Sequence, residues 1–264
     1  MSSARTSSFA TAPHNLHRLR RGALNPFFSK RTIAQMEARI LGKVEQLCSR
    51  FEQAIGTGDI IRLDAAYMAL TMDIITEYAY GQCDNLLAQE DYNLFWKEAI
   101  IKTTSNAAFL RQFPWALSMM KTLPFPVLQR LDPRAGAMIQ WQREVRRQID
   151  SIIRGNREGK RSEGTIFQAL LDSDLPPQEK TANRLQDEGS TLVAAGSETT
   201  AKSLSVITFY LLQDKAKLEK LRQELRTVIP TPDSPVSLTA LEKLPYLVGL
   251  ITPRCKTDPR LTRR

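Results

Sequence analysis

The chain has 264 residues, 42% of them hydrophobic and 25% charged, a balance that excludes a disordered tail or a collagen-like fibre and suits one large domain or two ordinary ones. Its net charge of +9 gathers partly in His17-Arg18-Leu19-Arg20-Arg21, in 155–161 and in 254–264, without the binding fold and interleaved aromatics that nucleic-acid recognition requires. Cys48, Cys83 and Cys255 are odd in number and far apart, which argues against a disulfide framework or a zinc site and points to a reducing compartment.

The first ten residues lack the apolar core of a secretory signal. The nearest approach to a membrane span, 192–212, holds Glu198 and Lys202 near its centre, so a buried protein helix and an intracellular location are expected. Apolar residues recur at helical spacing almost everywhere and no stretch alternates as a strand would, which predicts an all-α fold. A helix is expected over 32–54, with Ile33, Met36, Ile40, Val44, Leu47 and Phe51 as its stripe, ending before Gly56-Thr57-Gly58-Asp59. Asp64 is expected to cap a second helix that runs to Tyr80 and stops at Gly81, and a third is expected over 91–108. Phe113, Pro114, Trp115, Met119, Met120, Pro124, Phe125 and Pro126 make 109–131 an apolar, prolyl-rich connector that packs on its own core or faces a membrane or a ligand entrance. The helical pattern returns over 133–157, with Met138, Trp141, Val145, Ile149 and Ile152 inward. A charged link over 155–164 and a short helix over 165–172 follow, and Pro176-Pro177 is expected to open a long helix. Helices over 215–228, 237–244 and 245–252, with a turn-rich loop at 230–235, complete the pattern.

The long helix carries an unusual stretch, 192–204, in which glycine, acid and hydroxyls interrupt an apolar run. Buried polar groups cost stability unless they are paired, so this knot is either locally satisfied or retained for chemistry. Leu192, Ala195, Gly196, Thr199 and Ser203 fall on one helical face, where small side chains let something flat and bulky approach the backbone. Thr199 and Thr200 can bond back to carbonyls one turn earlier, which with Gly196 predicts a local bulge or bend. Glu198 and Lys202 have the spacing of a helix ion pair.

Ala195-Gly196-Ser197-Glu198-Thr199-Thr200 resembles the small-Gly-x-acid-Thr-Thr signature in the long central helix of the cytochromes P-450, the haem-thiolate monooxygenases. Residues 17–29 resemble the early helix and following turn of that family, particularly its fungal secondary-metabolism members. Leu241-Glu242-Lys243-Leu244-Pro245-Tyr246-Leu247 resembles the entry to the helix that normally carries Glu-x-x-Arg. The resemblance implies the central helical part of the cytochrome P-450 fold, with 1–252 a partial domain and 253–264 a divergent basic tail. It implies haem as cofactor, with His17 and Arg21 at a propionate, Ala195 and Gly196 against the porphyrin and the oxygen cleft, and Thr199 with Glu198 in proton delivery. As partners it implies a small apolar organic substrate and a nicotinamide-dependent reductase, at the endoplasmic-reticulum membrane typical of the family. It also gives 109–131 the place of a lid that leans on lipid in membrane-bound members.

The pattern departs from the family toward its end. Aligned from Tyr246, the glutamate position is Pro253 and the arginine position Lys256, and neither residue can do the work of the one it replaces. No Phe-x-x-Gly-x-x-x-Cys-x-Gly occurs, and Cys255 comes too early with the wrong neighbours, so no metal ligand is assigned. A haem-thiolate enzyme needs that sulfur on its iron. By this resemblance the N-terminal sheet region, the membrane anchor and the C-terminal cysteine-loop region of the family are expected to have no counterpart in these 264 residues. The expectation is therefore a truncated member, inactive as written, whose ancestral reaction inserts oxygen into a small organic molecule. The alternatives are a non-catalytic helical interaction protein and a membrane-surface protein built on 109–131.

Overall fold

Helix α4, Leu63–Tyr80, is apolar around nearly its whole circumference, as a helix enclosed by others must be. Ala65, Ala66, Ala69 and Ala79 are buried, and these small side chains let neighbouring helices approach closely. The structure, a computed structural model, describes residues 6–105, 132–159, 164–231 and 234–252, with positions 112, 113, 127 and 130. On α4 pack α3 (Glu37–Thr57), α5 (Leu94–Ser105), α6 (Pro133–Arg157), α7 (Ile166–Asp172) and α8 (Ala182–Gln213), and α1 (His14–Leu24) and α2 (Lys30–Gln35) precede them in the chain. Beyond them lie α9 (Lys215–Arg226), α10 (Leu238–Leu241) and α11 (Pro245–Ile251), and no strand occurs among the described residues. The most extensive packing is of α8 on α4; α6 packs on both α8 and α5, and α3 lies against α4. Among the described residues no helix is long and apolar enough to cross a membrane. The connector 109–131, apart from positions 112, 113, 127 and 130, and the basic tail 253–264 fall outside the described residues.

Local signals explain most of the boundaries. Gly81 takes a left-handed φ of 83° and stops α4, as its place after Tyr80 predicts. Thr165 caps α7 by accepting from the Gln168 amide, and α6 spans Pro133–Arg157 with Val145, Ile149 and Ile152 buried. Asp214 accepts from the amides of Ala216 and Lys217 to start α9, and the Glu224 carboxylate accepts from Tyr246 and Leu247 to start α11.

Several expectations change. Asp64 does not cap α4 but lies in its first turn, with Arg62 at the N-cap, and α3 runs through Gly56 to stop at Gly58. The helix predicted over 32–54 is two helices broken at Met36, the first capped by Ser29. The helix expected from Asp91 begins at Leu94, because Tyr92 and Asn93 have φ of 54° and 53°, outside helical space. Tyr92 is held there beneath the Arg50 guanidinium, 4.8 Å from its ring centroid. Pro176-Pro177 does not open the long helix: Pro177–Lys180 is a separate 3-10 turn, and Thr181 caps α8 by accepting from the Arg184 amide. Helix α8 also runs unbroken through Gly196, without the expected bulge.

Tyr80 and Phe167 stack at 5.0 Å between centroids in the α4–α7–α8 core, directly against Gly189. A Cβ at Gly189 would stand 2.3 Å from the Tyr80 hydroxyl and 3.0 Å from Phe167. Gly189→Ala is expected to cost about 1–3 kcal/mol through overpacking, in place of the gain of about 1 kcal/mol such a change brings in an open helix. The Tyr80 hydroxyl is buried without a hydrogen-bond partner, and burial pushes its pKa up. Adding Tyr80→Phe should therefore recover part of the loss in urea unfolding, and equal midpoints for the single and double variants would contradict this packing.

Candidate functional site

The polar knot of α8 divides between two sides of the helix. Gly196 turns toward α4, where a Cβ would meet Ile75 Cγ1 at 3.3 Å. Ser197 is buried, its hydroxyl donating to Val193 O at 2.7 Å, and Thr71 Oγ1 on α4 lies 3.0 Å from Ser197 O. This half of the knot is satisfied within the core and lets two helices touch. Ala195, Thr199, Thr200, Lys202 and Ser203 are exposed. Thr199 Oγ1 donates to Ala195 O at 2.7 Å and Ser203 Oγ to Thr199 O at 3.0 Å, so both hydroxyls are anchored to their own helix. Leu192 and Gly196 thus face the core while Ala195, Thr199 and Ser203 form an open strip, where the spacing alone placed all five together. Glu198 is half-buried at the edge of the strip, and it forms no ion pair with Lys202.

Farther along, α8 exposes Val206, Phe209, Tyr210 and Leu212, and α11 exposes Val248 and Ile251.

His17 and Arg21 lie on α1, both exposed and with side chains that bond to nothing among the described residues. Arg20 between them behaves in the opposite way. It is buried and donates to Glu179 through Nε at 2.7 Å and Nη2 at 2.9 Å, with Nη1 to Thr11 at 2.6 Å. Arg184 shares the same carboxylate at 3.1 Å and reaches Glu188 at 2.6 Å. Glu188 in turn accepts from the amide and hydroxyl of Ser8, at 2.9 and 2.7 Å, and Asp187 accepts from Thr6. This chain of charges ties the N-terminal segment and α1 to the first turns of α8. From Glu188 to Ala195 is seven residues, about 10 Å along the helix. The Arg20 hydrogen bonds, joined by Arg184, outweigh burial and hold the Glu179 carboxyl below its usual pKa.

Sequence reasoning treats the basic run 17–21 as one cluster and misses the special role of Arg20. The available signal was its spacing to Leu24, one turn on, which places both on the inward side of α1.

The sulfurs lie on other elements. Cys48 is exposed on α3, and Cys83 sits in the turn after α4, where it accepts a hydrogen bond from Lys43. Neither is on the open strip of α8. The described cysteines therefore place no sulfur ligand for an iron beside the strip.

A family model described as Cytochrome P450 matches residues 2–252. The chain is 42% identical to a conidiogenone synthase, PchP450, of Penicillium rubens, over 98% of this chain and 51% of that protein. It is 39% identical to the cytochrome P450 monooxygenase claJ of Penicillium crustosum, over 95% of this chain and 58% of the relative. It is 34% identical to the tryptophan 6-hydroxylase fscE of Fusarium equiseti, over 98% of this chain and 51% of that protein. The chain thus spans about half the length of the relatives it matches. Among solved structures, the crystal structure of a cytochrome P450 (CYP102L1) superposes with a TM-score of 0.70 at 22% identity, over 95% of this chain and 52% of that one, a likeness of fold.

Proposed function

Because the chain belongs to the cytochrome P450 family, we propose that the open strip of α8 is the oxygen-side wall of a haem site, in a monooxygenase acting on a small organic substrate of secondary-metabolite type. The reading is carried by the division of the knot: Gly196 and Ser197 are taken up by α4, whereas Ala195 and Thr199 are exposed and committed only to their own helix. Haem, when bound, supplies the activation of dioxygen. The remaining work falls to this chain's own side chains.

Arg21, with His17 one turn before it, is proposed to bind propionates, since neither side chain has a partner among the described residues and a guanidinium matches a carboxylate. Arg20 serves this indirectly by fixing α1 against α8 through Glu179. Thr199 Oγ1 spends its only proton on Ala195 O, so its lone pairs remain to accept from a water and orient it. Glu198, free of any ion pair among the described residues, is the carboxylate that passes protons toward that water. Electrons are proposed to come from a nicotinamide-dependent reductase. The relatives' names pair one with conidiogenone and another with tryptophan, unlike molecules, so the substrate is proposed at the level of class alone.

Titrating haem into the purified chain and following tryptophan quenching tests this reading. Uptake is expected to weaken with Arg21→Ala and to be lost with Thr199→Trp, which fills the strip, while Ile60→Trp at a distant exposed position leaves it unchanged. Reduced and carbon-monoxide-bound, the 264-residue chain is expected to lack the absorption band of thiolate ligation, since neither described cysteine shares the strip. Haem uptake indifferent to Thr199→Trp would place the group elsewhere.

A further inference from the structure

Helix α3 and the turn after α4 meet in a second reactive cluster, on elements the haem reading does not use. Lys43 Nζ donates to Cys83 Sγ at 3.3 Å and stands 3.3 Å from Glu77 Oε2. Cys83 Sγ is also 3.4 Å from Asn85 Oδ1 and 3.9 Å from the Glu77 carboxylate. The Lys43 side chain is only 15% exposed, and Asp73 is the other charge that faces it from α4. Burial works against the Lys43 ammonium, but its hydrogen bond to Cys83 and the nearby Asp73 and Glu77 outweigh it and raise its pKa. A cysteine, a lysine and a carboxylate are thus in mutual contact, with nitrogen and sulfur at the separation expected of groups poised to react.

We propose that Cys83 is an oxidation site whose sulfenic acid is trapped by Lys43, forming a nitrogen–sulfur bond that links α3 to the turn after α4. With hydrogen peroxide as oxidant, Cys83 Sγ attacks one peroxide oxygen. The S–O bond forms as the O–O bond breaks, and the departing hydroxide takes the thiol proton to become water. Lys43 Nζ passes a proton to the Glu77 carboxylate and attacks Sγ with the freed lone pair. The N–S bond forms, the S–O bond breaks, and the hydroxide leaves as water with a second proton from nitrogen. Sulfur has given two electrons to peroxide, and nitrogen has lost two protons. An external thiol reverses the bond by attacking sulfur and returning the amine, and a second thiol frees Cys83. Cys48 is the internal contrast: no lysine among the described residues hydrogen-bonds to it, and partial desolvation of its sulfur, with Glu52 and Glu45, pushes its thiol up, away from the reactive thiolate.

The purified chain, treated with hydrogen peroxide and digested with trypsin without reductant, provides the test. The expected product is a peptide pair joined through Lys43 and Cys83, two hydrogens lighter than the sum of its parts and uncut after Lys43. Dithiothreitol should return both free peptides. Lys43→Arg, which keeps the charge but removes the primary amine, is expected to lose the link and let Cys83 run on to sulfinic acid, with circular dichroism confirming that the variant is folded. Sulfinic acid at Cys83 in the unaltered chain with normal cleavage after Lys43 would overturn the proposal, as would a link to another lysine or one that retains an oxygen atom.

Discussion

Glu179→Ala is expected to lower the stability of the chain by about 3–5 kcal/mol, the cost of removing one partner from a buried ion pair. Among the described residues Glu179 is the only carboxylate bound to Arg20 and one of two bound to Arg184, and the side chains of all three are less than one-tenth exposed. Without it Arg20 keeps a single hydrogen bond, to Thr11, in surroundings that cannot hydrate a cation. The network has little reserve, because Arg184 Nη1 is already buried without a partner. The loss should appear as a lower urea midpoint, with earlier exposure of 6–24 to protease, since this segment is anchored through the same charges. Acid reports on the same contact. A carboxyl whose pKa is depressed in the fold contributes stability above its unfolded pKa and loses it as pH falls through the folded value. The Arg20 hydrogen bonds depress Glu179, so stability should decline as pH drops below the ordinary glutamate range, and Glu179→Gln should lack that part of the decline. Identical acid profiles for the two proteins would remove Glu179 from this role.

Asp73→Ala is the second large effect expected. Asp73 lies fully buried on α4 and accepts the amides of Leu86 and Leu87 at 2.9 and 3.1 Å, so it secures the turn by which the chain leaves the core helix. Each amide left unpaired in the interior costs about 1–3 kcal/mol, and two are released. Amide exchange at Leu86 and Leu87 should accelerate together with the fall in midpoint. Asp73→Asn can accept one of the two and turns an NH2 toward the other, so it should fall between alanine and the native residue. Burial pushes the Asp73 carboxyl up against the pull of the Leu86 and Leu87 amides and the Lys43 charge. The sign is opposite to that of Glu179: a raised carboxyl takes up its proton more readily in the fold, so Asp73 offsets part of the acid loss between its unfolded and folded values. An unchanged midpoint in Asp73→Ala would mean that other groups or water satisfy the two amides.

Much of the fold is legible in local chemistry. Val145, Ile149 and Ile152 repeat at the helical period and are buried; Gly81 and Thr165 mark helix ends because the first tolerates a left-handed backbone and the second offers an oxygen to a free amide. Where local reading fails, a distant contact has overruled it. Tyr92 delays α5 because Arg50, forty-two residues earlier in the chain, holds its ring. Glu179 sits in its own turn between the proline pair and α8, and there it meets Arg20 from 159 residues away.

The signature at 195–200, the segment 17–29 and the segment 241–247, in that relation along the chain, were enough to identify the family, because such signatures constrain residue type and local spacing. A helical repeat sets the angles between side chains but leaves open the direction in which the helix presents them. That direction came from packing: α4 claims Gly196 and Ser197 through Ile75 and Thr71, and so turns Ala195 and Thr199 outward. In the same way Glu179 draws Arg20 inward and leaves His17 and Arg21 uncommitted. The contact between Thr71 and Ser197 spans 126 residues, and burial is decided between partners that far apart, beyond the reach of any local pattern.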